Sequence, residues 1–374
     1  MRRIYLDYNA STPIAPQVAR AMHAVLEESY GNPSSDHWAG RVAKDLVEGS
    51  RAQVANLLGC TDAEIVFTSG GSEANNLALK GLYFARRGER AHIITSDIEH
   101  PSILEPCRFL ERWGARITRL PVDGIGRVDP DDLRRAMTSD TLLVSLMHAN
   151  NEVGTLEPIE ACARIACEHG VPFHTDAAQS VGKIPTRVNE LGVDLLSIAG
   201  HKLYAPKGVG TLYVRAGTSL DSLIHGAGHE SGRRAGTESA LLAVGLGAAC
   251  GLAQDLGWTS QVRVLRDHLW TSLHARFGDQ VVLNGHPECR LPNTLNVSFV
   301  GRTGSELLAG LEGIAASTGS ACHSGRIELS PVLRAMRVPE DIGAGAIRFS
   351  LGRSTTREEI DEAIERITAI VARR

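Results

Sequence analysis

The stretch Val193–Val209, VDLLSIAGHKLYAPKGV, decides the fold of this chain. An apolar run from Leu195 to Ile198 ends in the small residues Ala199 and Gly200. His201 and Lys202 come next, and then the breakers Pro206, Lys207 and Gly208. A short apolar run bounded by turn signals reads as a buried strand. Lys202 therefore falls at or just past a strand end, where open α/β sheets keep their ligands. Partial desolvation there lowers a lysine pKa and frees the amine for Schiff-base chemistry. A surface lysine in a loop would satisfy the same pattern. The chain has only five lysines, at 44, 80, 183, 202 and 207, so the candidates are few. Lys44 and Lys80 lie in helix-like stretches, Lys207 follows a proline turn, and Lys183 is the weaker rival.

Upstream, Pro16 to Ser29 has helical spacing, YGNPSSDHWAG (30–40) is a turn-rich loop, and 40–59 repeats apolar residues at helical intervals up to the stop at Gly59. Glu64–Thr68 reads as a strand, followed by SGGSEANNLALKGLYFARRG, a tight turn and a helix start. Free N–H groups and the helix dipole at such a start suit a phosphate. Ser72 is either a helix cap, a phosphate ligand or both. No Walker pattern is present. His92–Thr95 is a strand leading to His100, which stands before Pro101 at a helix entrance. Arg116–Leu120 and Thr141–Met147 are further strands, the latter followed by HANNEVGT. One of the two asparagines suits an Asx turn and the other a hydrogen-bond donor. Val171–Thr175 is a strand, with Asp176 directly after it, well placed for an ion pair in a cleft. Strand and helix signals alternate about six times, which predicts an α/β domain with a mostly parallel sheet.

Downstream, Val209–Val214 reads as one more strand, and HGAGHESGRRAGT (225–237) is Gly-rich. Its two histidines are four apart, but the glycines oppose the helix that a metal pair would need. A helical stretch runs from Ser239 through a break at Gly257 to Phe277. A composition shift near 255 marks a smaller α+β domain, which contains STGSACHSG (317–325) and ends in AIRFSLGRSTT and a closing helix. The expected division is a large domain over 15–255 and a small one made of 1–14 with 256–374.

The 374 residues suffice for a large core, and 43% apolar with 22% charged content is ordinary for a globular protein. A net charge of −4 gives no reason to expect direct binding of nucleic acid or an anionic membrane. No apolar stretch approaches the roughly 18 residues of a membrane span. The polar start MRRIYLDYNAST lacks a signal-peptide core, so a cytoplasmic location is expected. Seven cysteines at scattered spacings, with no CxxC, read as reduced thiols.

These pieces, in this order, resemble the cysteine desulfurases, fold type I pyridoxal-phosphate enzymes of the class V aminotransferase group. The matching motifs are YLDYNAST, YGNPSS, FTSGGSEANN, the EH of DIEH, MHANNEVGT, HTDAAQS, GHK, GHESGRRAGT, GSACHS and IRFSLGR. They span nearly the whole chain. The resemblance implies a seven-stranded, mostly parallel sheet in the large domain. It implies that Lys202 holds pyridoxal 5'-phosphate through a Schiff base and that Asp176 pairs with the pyridinium nitrogen. Asn151 and Gln179 would hydrogen-bond the ring oxygen. His100 would stack on the ring and move protons. Gly71, Ser72 and His201 would bind the phosphate, and Thr237 the phosphate of a neighbouring subunit, which implies a homodimer. Arg348 would clamp the carboxylate of L-cysteine, with Asn151 and Asn32 shaping that pocket. Cys322 would attack the substrate sulfur, leaving alanine and a persulfide for transfer to an acceptor protein in iron–sulfur assembly, tRNA thiolation or DNA phosphorothioation. No metal site is expected, although Cys322 is open to ligating an iron–sulfur cluster.

One departure matters. Many members of the family carry a phosphate-binding serine where Ala199 stands. Selenocysteine lyases also carry an apolar residue there, and their cysteine loop, the SPVL after it and the RFSLGRSTTREE segment look alike, so that activity is an alternative. A catalytically silent scaffold for a sulfur-transfer complex and an ordinary aminotransferase are the further readings.

Overall fold

The computed structural model describes residues 2–86, 88, 90–318, 321–323 and 326–372, with the side chains of 321–328 outside the description. The chain opens with a two-residue strand, β1 (Ile4–Tyr5). Seven strands then build the large sheet. They are β2 (Ile65–Thr68), β3 (His92–Ser96), β4 (Arg116–Leu120), β5 (Thr141–Ser145), β6 (Phe173–Asp176), β7 (Leu195–Ala199) and β8 (Gly210–Val214). Their order is β2-β8-β7-β6-β5-β3-β4. The pairs from β7 through β6, β5 and β3 to β4 are parallel, whereas β8 runs against both of its neighbours. Strands β2, β3, β5, β6 and β7 therefore all end at one rim, and β8 starts there.

Alternation along the strands explains why the sheet is buried on both faces. Ile65, Phe67, Ile94, Val144, Leu196 and Ile198 join one core. Val66, Ile93, Leu143, Leu195 and Leu212 join another on the opposite face. The first is covered by Trp38–Leu58 and Ala240–Ala253, among other helices. The second is covered by the helix that begins at Gly71 and by Pro101–Glu111. Gly59 ends Trp38–Leu58 at φ 71°, a left-handed stop that favours glycine.

The remaining strands are β9 (Val281–Asn284), β10 (Thr294–Phe299), β11 (Ile314–Ala315), β12 (Ser317–Thr318), β13 (Ala321–His323), β14 (Arg326–Glu328) and β15 (Ala346–Ser350). An antiparallel sheet of order β12-β15-β10-β9 packs on Trp258–Phe277 and Arg357–Val371. β1 pairs in parallel with β11, and Ile4 and Leu6 are buried in this third core. Leu329, Val332, Leu333 and Met336 pack instead into the first core. Among the described residues no single helix is long and apolar enough to cross a membrane; Ala240–Ala253 and Trp258–Gln280 pass that test only together and are bent by 77°.

Candidate active site

A cavity of about 610 Å³ opens at the rim where the parallel strands end. The ends of β2, β3, β5, β6 and β7 and the start of β8 each deliver a side chain or a turn to it, as the strand directions require. After β2 come Gly70 and Gly71. Gly70 sits at φ 149°, which only glycine adopts readily, and a Cβ on Gly71 would lie 3.1 Å from the Ala199 Cβ. The chain thus approaches closely and then enters a helix whose first N–H groups have no partner inside it. Ser72 lies within this helix and does not cap it. Gly70 occupies the cap position, and Glu73 instead accepts from the Ser69 N–H at 2.7 Å. Glu73 also takes Arg234 from the Gly-rich loop at 3.0 Å.

Asp176 is the last residue of β6 and is buried. Its protein partners are both neutral donors. Its Oδ1 accepts from the Ala178 N–H at 2.9 Å and its Oδ2 from Asn75 Nδ2 at 2.7 Å. The same Asn75 nitrogen reaches Ser102 Oγ at 2.8 Å, and Ser102 Oγ lies 2.8 Å from His100 Nδ1. His100 caps Pro101–Glu111, accepting from the Ser102 N–H at 3.1 Å. A backbone N–H only donates, so Nδ1 accepts, and the neutral ring carries its proton on Nε2. Loss of contact with water lowers the His100 pKa; Asp176 opposes the shift and Lys202 adds to it.

Lys202 lies in the turn just past β7. Its Nζ donates to the carbonyls of Asn9 at 2.6 Å and Ala10 at 2.8 Å. Burial, then the charge of Arg348, lower its pKa to about 8, against the opposing pull of Asp7 and Asp176. Behind it Lys183 is fully buried, and burial brings it to about 7. Lys183 Nζ donates to Gln179 Oε1 at 2.9 Å, and Gln179 Nε2 donates to the Asn9 carbonyl at 2.9 Å. Lys183 does not line the cavity, whereas Lys202 and Lys207 do. His201 is lowered to about 4, by burial and then by Lys202, Lys207 and His100.

Asn151 and Arg348 complete the wall. Asn150 makes the expected Asx turn, accepting from the Glu152 and Val153 N–H groups. Arg348 donates from Nη1 to the Asn151 carbonyl at 2.9 Å and from Nη2 to Asp7 at 2.7 Å. Lys202, His100, Gly71, Ser72, Asn151, Asp176, Gln179, His201 and Arg348 thus converge. Asn32 and Thr237 do not. Asn32 is exposed and accepts from the Ser34 N–H in its own turn. Thr237 is exposed and lines a neighbouring cavity. The Cys322 side chain lies outside the described residues; its backbone is in β13, paired with β14. The other six cysteines are unpaired, and Cys107, Cys162 and Cys250 are buried with thiols pushed up to about 12. No group of three or more metal-ligating side chains occurs among the described residues.

Sequence reasoning left out Asp7, Asn9, Asn75 and Ser102. Their motifs were legible, but nothing local says that an N-terminal carbonyl accepts from a lysine 193 residues away.

The class-V aminotransferase family model matches residues 4–363. A cysteine desulfurase IscS of Dictyoglomus turgidum is 48% identical over 374 residues, covering 99% of this chain and 95% of the relative. The mitochondrial cysteine desulfurase of Arabidopsis thaliana is 46% identical, covering 97% of this chain and 81% of that one. Among solved structures, a NifS-like protein superposes with a TM-score of 0.93 at 38% identity, covering 99% of each chain. SspA in complex with cysteine gives 0.84 at 37% identity, covering 94% of this chain and all of that one. The rim lysine, the buried aspartate and the full-length match together place this chain in the cysteine desulfurase family of class-V aminotransferases.

Proposed function

We infer that the chain is a pyridoxal-phosphate-dependent cysteine desulfurase that converts L-cysteine to L-alanine. The observation that carries this is the convergence of Lys202, near pKa 8, and Arg348 on one cavity. The residues present fit the cofactor. A closely approached helix start at Gly71 and Ser72, with His201, would hold its phosphate; Lys202 would hold its aldehyde and Asp176 its ring nitrogen. Asn151 and Gln179 would hydrogen-bond the ring oxygen. Bound there, pyridoxal phosphate supplies an electron sink for the substrate Cα carbanion.

Each protein group then has a task. Arg348 would hold the substrate carboxylate with guanidinium hydrogens not spent on Asp7 and Asn151. Lys202, shifted into the neutral range, would take the Cα proton. His100 would carry a proton on Nε2. Cys322, as thiolate, would accept the substrate sulfur as a persulfide, and the sulfur would pass to an acceptor protein. Ala199 offers no hydroxyl at the phosphate end, so selenocysteine lyase activity stays the second reading.

A homodimer, a cytoplasmic setting and the division into 15–255 and 1–14 with 256–374 belong to the proposal. Thr237 stands outside this chain's own cavity, as a residue serving a neighbour would. Leu26, Tyr30 and Trp38 are exposed, with Tyr30 and Trp38 edge to face at 6.4 Å, as at an apolar interface. The burial of Ile4 and Leu6 with Phe349 supports giving the N-terminus to the small domain.

The test compares alanine release from L-cysteine and from L-selenocysteine in wild type and Cys322→Ala, with borohydride reduction and peptide mapping of both. We expect a pyridoxyl tag on Lys202 in both proteins and alanine from cysteine only in wild type. A tag on another lysine, or full desulfurase activity in Cys322→Ala, overturns the assignment. A colourless wild type that releases no alanine supports the scaffold reading.

A further inference from the structure

Arg348 lies in β15 directly opposite Asn296 of β10 and Ser317 of β12. Directly opposed residues share a face of a sheet, so three polar side chains stand in a row. Asp7 closes on this row from the N-terminal segment. A single oxygen, Oδ1, accepts from Arg348 Nη2 at 2.7 Å and from Ser317 Oγ at 2.8 Å. Ser317 begins β12, the strand just before the segment 319–328 that carries Cys322.

The other side of Arg348 mirrors this. Its Nη1 donates to the Asn151 carbonyl, and the next residue, Glu152, is buried. The Glu152 carbonyl accepts from Asn296 Nδ2 at 3.2 Å, and Glu152 Oε2 accepts from Ser330 Oγ at 2.7 Å. Ser330 follows the same segment and caps Pro331–Ala335. Two buried atoms of this ring, Arg348 Nε and Glu152 Oε1, have no partner among the described residues. Ser317 and Ser330, on either side of 319–328, thus each give one hydroxyl to a carboxyl group near the same guanidinium.

We propose that Asp7 is a positioning residue that competes with the substrate carboxylate for Arg348 and, through Ser317, ties that competition to the base of the Cys322 segment. Glu152 and Ser330 hold the other base. The proposal rests on reading Arg348 as the carboxylate clamp. Nη1 and Nη2 each spend one hydrogen and keep one, so a substrate carboxylate can be accepted without breaking the Asp7 contact. Two anions then share one cation, and their repulsion weakens the hold on the substrate. Asp7 orients the guanidinium at the expense of affinity.

The experiment measures Kd for 3-sulfanylpropanoate, which has the carboxylate and thiol of cysteine but no amine, by calorimetry on the apo-protein. KM and kcat for L-cysteine are measured on the holoenzyme. Asp7→Asn keeps the acceptor oxygen and removes the charge. It should lower both Kd and KM about fivefold, and kcat should fall because a neutral amide oxygen holds Ser317 less firmly than a carboxylate does. Ser317→Ala should leave Kd unchanged and lower kcat about fivefold. The double variant should turn over no more slowly than Asp7→Asn alone, because both act through one contact. Asp7→Glu, which restores the charge, should return Kd towards wild type and so separates this effect from general damage. An unchanged or raised Kd in Asp7→Asn, or wild-type kcat in Ser317→Ala, overturns the proposal. If Arg348→Ala binds 3-sulfanylpropanoate as well as wild type does, the clamp reading beneath it fails instead.

Discussion

The two sheets furnish the cavity in opposite ways. At the rim of the large sheet, the site's lysine, histidine and aspartate are held by neutral partners. Lys202 donates to two backbone carbonyls, His100 is held by Ser102, and Asp176 by Asn75 and a backbone N–H. On the small sheet, Arg348 is held by a carboxylate. The difference has a physical reason. A direct counter-ion pins a group in its charged form, which suits a clamp and disables a base. Neutral partners leave burial to set the pKa, and burial brings Lys202 to about 8.

The largest effect should come from breaking the large-sheet side. Lys202→Ala removes both the amine that holds the cofactor and the base, and kcat/KM for L-cysteine should fall about ten-thousand-fold. Borohydride should then fix no pyridoxyl group at residue 202. Wild-type turnover in this variant would put the chemistry elsewhere.

The small-sheet side should break differently. Arg348→Lys keeps a charge but loses the planar fork. KM for L-cysteine should rise about thirtyfold, the scale of one charge-assisted hydrogen bond, while the borohydride tag on Lys202 persists. Loss of the tag would show that the two sides are not separable.

The smallest effect sharpens the contrast at Lys183, which has no described carboxylate partner. Its folded pKa, about 7, lies below its ordinary value of 10.5. The unfolded chain therefore binds the extra proton between those values, and stability from this group rises with pH across that window. Below about 7 the penalty of burying the charge is fully present. Lys183→Met should remove the penalty, so its melting temperature should exceed wild type by a few degrees near pH 7, with the gap closing towards pH 10. A gap that does not depend on pH would mean that Lys183 does not titrate in the fold.

Much of this was open to reading in one dimension. The short apolar runs in IVFT, HIITS and LLSIA mark buried strands, and the breakers after Ala199 put Lys202 at a strand end. Glycine at 59 stops its helix as expected. Other inferences stopped short. Ser72 looked like a helix cap because a serine before an apolar run often is one, yet the chain enters the helix at Gly70. That Asn75 holds Asp176 from 101 residues away had no local signal either.

The sequence by itself determined which segments become strands and helices, and that Lys202, Asp176 and His100 stand at their ends. Only the tertiary structure decided which of those residues touch. Asp7 meets Arg348 across 341 positions, and Asn9 lends its carbonyl to Lys202 across 193. Periodicity records how a segment buries its own apolar face, a local matter. The partner of a buried polar atom is chosen by whichever distant segment packs against it, and no local pattern carries that choice.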